Sequence, residues 1–397
     1  MSQPLSGISV LDLGQIYQGG YTGLLLSYLG ADVVKVEPPW GENVRTRSDD
    51  GKPPQLQYLN ATKRGITLDL KSSAGTQALM DLVAECDVLI ENFATGKMAE
   101  LGLGYDTLCE VNPELVYAHG SGYGDSGPYA EYPAMDLTVQ AMSGVIHTTG
   151  YPDEKPVKAG PAICDFIGAV HLTLGVVSAL FRRERTGEGD YVEVGMYDCM
   201  YPTLASPVSA WVAGKDTPPR TGNRHSGLSI APYNVYEVDD GYVAIICISE
   251  RHWTGLAGLM DRPDLIDAEG YDSKAARAER LEEIDALVES WLDGRTKDAV
   301  VDALLDAGVP CAPVQTVEEI VDDPHLRERG MVNDLRNQGE GRAEIPVPGM
   351  PIKFAAVDDP EVTQAPLLGE HTEDVLREIA GYGPEELQRL RGDGDGE

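Results

Sequence analysis

The stretch from Pro133 to Gly144 carries a single acid, Asp136, among residues that are otherwise apolar or uncharged. In a chain with 24% charged residues, an isolated carboxylate of this kind departs from its surroundings. Upstream, Gly120 to Pro128 is glycine-rich, and Tyr123 is its one large side chain. Downstream, Val139, Met142, Val145 and Ile146 recur at helical spacing. An Asp at a helix start is commonly an N-cap or an ion-pair partner. A carboxylate held in a pocket beside flexible glycines can also attack an acyl carbon as a nucleophile. The stretch by itself leaves both chemistries open.

Other reactive groups are few. The cysteines Cys86, Cys109, Cys164, Cys199, Cys247 and Cys311 are scattered, with no CxxC and no histidine cluster beside them. This spacing argues against a metal site and against a disulfide framework. Lys63 and Arg64 are adjacent cations in a strongly acidic chain, and could neutralise an anionic ligand such as a phosphate or pair with nearby acids. The chain has 65 acidic against 31 basic residues, a formal charge of −34. Binding of nucleic acid through a basic surface is thereby excluded. The acids are dispersed, as in Glu279, Glu282, Glu283 and Asp285, and again in Glu318, Glu319, Asp322 and Asp323. Dispersed self-repulsion of this size is a lever that halophiles use. No apolar run reaches the length of a membrane span, and Met1 to Ser6 lacks the pattern of a signal peptide. The expectation is a salt-adapted cytoplasmic protein with no nucleic-acid or membrane partner.

At 397 residues the chain exceeds the size of one usual core, so two domains are expected. Ile8–Leu13 reads as a buried strand, followed by Gly14, Gly19 and Gly20, a helix through Leu24–Leu29, and a second strand, Asp32–Val36. This start resembles a dinucleotide-binding unit, but the glycine spacing is not GxGxxG and Tyr17 interrupts it. The α/β architecture stands without that fingerprint. A strand follows Lys63–Arg64, then a helix over 74–84, the strand Val88–Phe93 and the strand Leu115–Ala118. A helix is expected over 165–183 and a strand over 191–194. Between Met196 and Asn223 a Pro-, Ser- and Ala-rich crossing segment is expected. Pro232–Cys247 reads as a hairpin turning at Asp239-Asp240-Gly241. Helices over 253–260, 277–291 and 297–307 complete the second domain. A loop-rich stretch, 314–357, precedes two closing helices, 370–379 and 384–391.

Taken together, these pieces resemble the family III CoA-transferases over nearly the whole chain. The resemblance rests on Val10–Leu13 with Gly19, Leu29–Pro39, Leu59-Asn60, Lys63-Arg64, Leu68–Lys71 and Asp87–Phe93. It continues through Gly122–Gly124, Gly127-Pro128, Asp136, Gln140–Gly144, Arg185–Gly189, Gly222–His225 and Leu368–Thr372. It implies an α/β fold: a large Rossmann-like domain plus a smaller α/β domain, in an interlocked homodimer whose active site lies between domains. The implied division is 1–200 for the first part of the large domain, 201–224 as linker, 225–315 for the small domain, and 316–397 as linker and return. Asp136 would then be the nucleophile. It would attack an acyl-CoA thioester to give an anhydride and CoA thiolate, which returns to form an aspartyl-CoA thioester; an acceptor carboxylate reverses the steps. Coenzyme A is substrate and product, with no metal or tightly bound cofactor. By resemblance CoA would lie along Ile16, Tyr17 and Gln18, with Asn92 and Phe93 beside it. Lys63, Arg64 and Lys97 are the candidates for its phosphates, and Ser121, Gly122 and Tyr123 line the glycine loop. Backbone donors for the oxyanion could come from Gly120–Gly124 and from Ser226 and Gly227, part of a lid-like loop, His225–Ser229.

The competing expectation within the same superfamily is an α-methylacyl-CoA racemase. Those enzymes place a histidine directly before the residue that matches Asp136, and a second acid that matches Asp165. Here Met135 holds the histidine's place, and a thioether cannot move a proton. A non-catalytic CoA-binding protein is the distant alternative. Small dicarboxylates, with succinyl-CoA as donor and mesaconate as acceptor, are the expected substrates. The charge also predicts that the melting temperature rises when potassium chloride is raised to molar levels. A thermal-shift series in that salt checks this, and a flat response would remove the argument for salt adaptation.

Overall fold

The structure, a computed structural model, describes residues 2–48, 53–214, 218–335 and 344–392. Six short strands, Ser9–Asp12 (β1), Asp32–Glu37 (β2), Arg64–Thr67 (β3), Val88–Glu91 (β4), Val116–Ser121 (β5) and Asp190–Gly195 (β6), form one sheet. Their order is β3-β2-β1-β4-β5-β6, and every neighbouring pair is parallel. Side chains alternate between the two faces of each strand. Val10, Val33, Val88, Ile90, Val116 and Ala118 therefore enter one core, which also contains Leu24, Leu172 and Val176. Leu11, Val34, Leu89 and Tyr117 enter the other, with Leu79, Leu82, Val375 and Leu376. Being buried on both faces, these strands read as apolar runs rather than as alternating ones. This mixed α/β fold with its parallel sheet agrees with the fold class expected from the sequence.

Three helices border the carboxyl ends of these strands or pack behind them: Gln18–Tyr28 (α1), Asp136–Met142 (α2) and Ile163–Thr186 (α3). Helix α3 is longer than the sequence pattern implies and stops at Gly187, whose φ of 68° suits a glycine just past a helix end. Among the described residues it is the one helix long and apolar enough to cross a membrane. Here its buried side packs against α1 and β5.

The chain forms two compact units: Met1–Val139 with Pro161–Met200 and Val321–Glu397, and Gln140–Gly160 with Tyr201–Ile320. In the second unit the expected hairpin is present as Tyr233–Val238 (β7) and Gly241–Ile246 (β8). Cys311–Pro313 (β9), unread in the sequence, adds a third antiparallel strand. The helix expected over 277–291 is broken into Lys274–Ala278 and Leu281–Leu292, with Arg277 fully buried over the Trp253 ring. The stretch 201–224 carries a helix, Ala205–Val212, within this unit. Among its described residues, the loop-rich stretch 314–357 holds the short helices Val317–Val321 and Pro324–Glu328 and a two-stranded ladder, Val332–Asp334 (β10) with Pro346–Pro348 (β11).

The turn from β1 into α1 is built on a buried ionic cluster. The Lys63 ammonium lies 2.7 Å from Asp12 Oδ2, and both side chains are fully enclosed. It also donates to Gly20 O and to Asn60 Oδ1, each at 2.8 Å. Lys35 lies 3.1 Å from Glu42 and donates to Gly14 O, while Arg45 grips Glu37 with two nitrogens. Burial lowers the Lys63 pKa even though Asp12 opposes it. Burial would also lower that of Lys35, but Glu42, Asp12 and Glu37 together raise it. The glycines fit around this cluster rather than around a pyrophosphate. A Cβ on Gly14 would stand 2.5 Å from Gly19 Cα, and one on Gly23 would stand 2.3 Å from Asp12 Oδ2. All three donor directions of Lys63 are thus spent inside the protein, and the phosphate reading of this residue gives way to pairing with an acid. Lys63→Met would leave Asp12 buried and uncompensated, and is expected to cost about 3–5 kcal/mol in a urea titration. Adding Asp12→Leu to it should recover a large part of that loss.

Candidate active site

In open parallel sheets ligands bind beyond the carboxyl ends of the strands, where the strand order reverses. Here the reversal falls between β1 and β4. A cleft of about 520 Å³ opens there, lined by residues that follow β1 (Gln15, Ile16, Gln18) and β4 (Asn92–Thr95), by the end of β5 with the next residue (Gly120–Gly122), and by Tyr132, Asp136 and Asp165. Asn92 holds the loop after β1 in place: its Oδ1 accepts from Gln15 N at 2.6 Å and its Nδ2 donates to Gln15 O at 3.0 Å. Ile16 is consequently fixed at φ 58°, uncommon for a β-branched residue, with its N–H given to Glu42. Gly122 is required by a close approach, since a Cβ there would meet Ala134 Cβ at 2.0 Å.

Gln18 is buried with its amide wedged between Gly120 and Gly168; Cβ atoms at those positions would come within 2.8 and 2.9 Å of it. Its Nε2 has no hydrogen-bond partner among the described residues. An unspent buried donor is costly, and a bound acceptor would satisfy it.

Asp136 is the first residue of α2, and its carboxylate also serves another helix. Its Oδ1 accepts from Cys164 N at 2.8 Å, and Asp165 N lies at 3.5 Å. Those amides belong to the first turn of α3, whose own Ala162 supplies no side-chain cap. The carboxylate therefore sits where orphan N–H groups and the helix dipole favour negative charge. One negative charge there discourages a second. Burial, and then the charge of Asp136, push the Asp165 carboxyl up to about 7. Burial and the two carboxylates likewise push the Cys164 thiol up to about 12.

A second pocket of about 300 Å³ shares Gln15, Asn43 and Phe93 with the cleft, so the two are contiguous. Its walls include Trp40, Leu68, Leu70 and Leu101, and its cations are Lys71 and Lys97. Lys71 lies 5.9 Å from the Trp40 ring, and Lys97 pairs with Glu100 at 2.8 Å on the surface.

The structure thus brings together Ile16, Gln18, Asn92, Phe93, Ser121, Gly122 and Asp136 in one cleft, with Lys97 in the adjoining pocket. Other expected residues are placed elsewhere. Arg64 starts β3, at the opposite end of the sheet, and is taken up by Asp32 and Glu378 at 2.5 and 2.7 Å. Tyr17 lays its ring against Phe166 with centroids 5.8 Å apart, and Tyr123 packs among Tyr129, Tyr132 and Tyr197. Ser226 and Gly227 belong to the second unit, where the Gly227 N–H is given to His225 Nδ1. Lys71 is a phosphate candidate that sequence reasoning misses. It lies beyond the carboxyl end of β3, whereas Arg64 is the strand's first residue, and the strand-end rule alone favours Lys71.

The sequence model for CoA-transferase family III matches residues 5–372 of this chain. Succinyl-CoA:mesaconate CoA-transferase of Haloarcula hispanica is 37% identical, over 96% of this chain and 97% of its own length. Acetyl-CoA:oxalate CoA-transferase of Acetobacter aceti is 34% identical, over 95% and 96%. Among solved structures, a CAIB/BAIF family protein from Brucella suis superposes with a TM-score of 0.85 at 34% identity, covering 96% of this chain and all of its own.

The raised pKa of Asp165 has a defined sign. A folded-state value above the ordinary carboxyl range adds stability at low pH, and that addition is lost as pH rises through about 7. Asp165→Asn removes the group that titrates. Its melting temperature relative to the parent should therefore climb between about pH 5 and about pH 8.5. A gap that stays constant in differential scanning fluorimetry would contradict the raised Asp165 carboxyl.

Proposed function

The chain belongs to CoA-transferase family III, and from that premise we propose that it moves coenzyme A from succinyl-CoA to a small dicarboxylate such as mesaconate, with Asp136 as nucleophile. The relatives are named as CoA-transferases for succinyl-CoA with mesaconate, acetyl-CoA with oxalate, and succinate with glutarate. The two haloarchaeal relatives named for succinyl-CoA and mesaconate support this choice of substrates. The observation that carries the mechanism is the Asp136 carboxylate itself, held at the N-terminus of α3 in the wall of the cleft. In this reading one oxygen stays on the Cys164 amide while the other attacks the donor carbonyl carbon. The C–S bond breaks, CoA leaves as thiolate, and an aspartyl anhydride forms. The thiolate attacks Cγ of Asp136 and expels succinate, leaving an aspartyl-CoA thioester. Mesaconate attacks the same carbon to form a new anhydride and release thiolate, and the thiolate's attack on the mesaconyl carbonyl frees Asp136. No electrons or net protons are exchanged, and the energy of the thioester is kept at each step.

The donor that we assign to the acyl carbonyl is Gln18 Nε2, the unspent amide in that wall. The adjoining pocket suits the nucleotide end of CoA: Trp40 and the leucines offer apolar walls, and Lys71 and Lys97 offer charge to phosphates. A homodimer is part of the proposal. Val170, Leu174 and Phe181 on α3 are 50, 63 and 60% exposed at spacings that share one helix face, as a subunit contact would need.

Racemisation remains the second reading because Asp165 holds a proton near neutral pH in the same cleft. Adduct formation and isotope exchange separate them. Incubation with succinyl-CoA should yield a mass adduct on the peptide that contains Asp136. Asp136→Asn should lower kcat by at least about 10⁴-fold, as removal of a nucleophile does. Deuterium wash-in at the α-carbon without acyl exchange would sustain the racemase instead.

A further inference from the structure

On the face of the sheet opposite Gly120, the carboxyl ends of β4, β5 and β6 hold a buried charged cluster that the transfer chemistry does not use. His119 and Glu91 are almost fully buried. His119 Nδ1 lies 2.9 Å from Asp125 Oδ1, and its Nε2 lies 3.2 Å from Phe93 O. Glu91 Oε2 accepts the Phe93 N–H at 2.8 Å. The Phe93 peptide is therefore gripped on both sides, by Glu91 at its N–H and by His119 at its carbonyl. Phe93 forms a wall of both the cleft and the adjoining pocket. Asp125, at the end of the glycine loop, is held in turn by Tyr191 Oη at 2.5 Å and by its own N–H to Glu193 at 2.6 Å.

We propose that His119, Asp125 and Glu91 form a positioning clamp that locks the Phe93 turn to the glycine loop, and that loss of the His119 proton opens it and weakens the hold on CoA. The reason lies in the two ring nitrogens. An imidazolium donates from both, to Asp125 and to Phe93 O, whereas a neutral ring has one proton and must abandon one partner. The other charged or titratable groups around the ring are Glu91 at 3.8 Å, Tyr191 at 3.3 Å, Glu193 through Asp125, and Tyr117, which donates to Glu91. Tyr105 packs over Tyr117 and Tyr191 from the neighbouring helix, and Asp106 lines the cavity beside them. Burial alone would lower the His119 pKa, but the bond to Asp125 and the charges of Glu91 and Asp125 raise it to about 9. Asp125 is held at about 2, burial being outweighed by His119 and Tyr191. The clamp is thus closed at neutral pH and opens through about pH 9.

This proposal rests on the CoA-transferase reading, and its test keeps the two apart. Calorimetry on the full chain measures the Kd of free CoA across pH, and imidazole NMR on the same samples follows His119. In the parent protein Kd should weaken by about tenfold between about pH 7.5 and about pH 10, the scale of a small displacement in a binding wall. His119→Gln, which can still donate to Phe93 O but cannot titrate, should abolish that step. Asp125→Asn keeps an acceptor but removes the charge, and should move both the step and the His119 titration to lower pH. A Kd step that persists unchanged in His119→Gln, or a His119 that titrates at the ordinary value near 6.5, overturns the clamp. His119 titrating near 9 in a parent protein with no affinity for CoA at any pH overturns the CoA reading and the binding role with it.

Discussion

The structure depends first on the neutralisation of charge beneath the turn that joins β1 to α1. Asp12 lies at the end of the central strand, out of reach of water, and its charge is tolerated because Lys63 meets it at 2.7 Å. An unpaired charge at that depth would cost several kcal/mol, so the pair fixes where β1, β3 and α1 lie relative to one another. The absence of side chains at Gly14, Gly19 and Gly23 lets the helix approach closely enough to enclose it. On top of this base Lys35, Glu42 and Asn92 hold the loop that carries Gln15, Ile16 and Gln18 into the cleft.

A second use of charge organises the opposite wall. The N-terminus of α3 brings orphan amides to the cleft, and Asp136 meets them from a separate helix. Such a site favours one carboxylate and disfavours its neighbour; burial first, and then the charge of Asp136, let Asp165 keep its proton to about pH 7. A cap and a nucleophile are compatible roles for one residue. One oxygen can be anchored to an amide while the other is turned to a ligand. The buried clamp of His119, Asp125 and Glu91 then ties the two loops of the cleft together from behind the sheet, without facing the ligand itself.

Much of this was legible in the sequence. Apolar runs bounded by glycines located the strands, and helical spacing located α1 and α3. The lone acid in the stretch 133–144 drew attention to Asp136. The least legible part was the fate of the cations. Lys63 and Arg64 stand together in sequence, yet one is sealed in a core with Asp12 and the other lies on the surface with Asp32 and Glu378. Lys71, a few residues on, is the one that lines a pocket. His119 gave no signal at all, because its partners Glu91, Asp125 and Tyr191 come from separate strands and loops.

By itself the sequence determined the α/β architecture and the membership of the family, and it singled out Asp136 as the candidate nucleophile. These follow from periodicity and from an order of motifs, which are properties of neighbours along the chain. Only the tertiary structure decided which charges face a ligand and which face each other. It also decided that Asp136 caps a helix other than its own, and that a histidine behind the sheet holds the wall in front of it. Those outcomes depend on distances between residues remote in sequence, such as the 51 positions from Asp12 to Lys63. Folding brings them together because a buried charge or donor must find its partner wherever the chain supplies one.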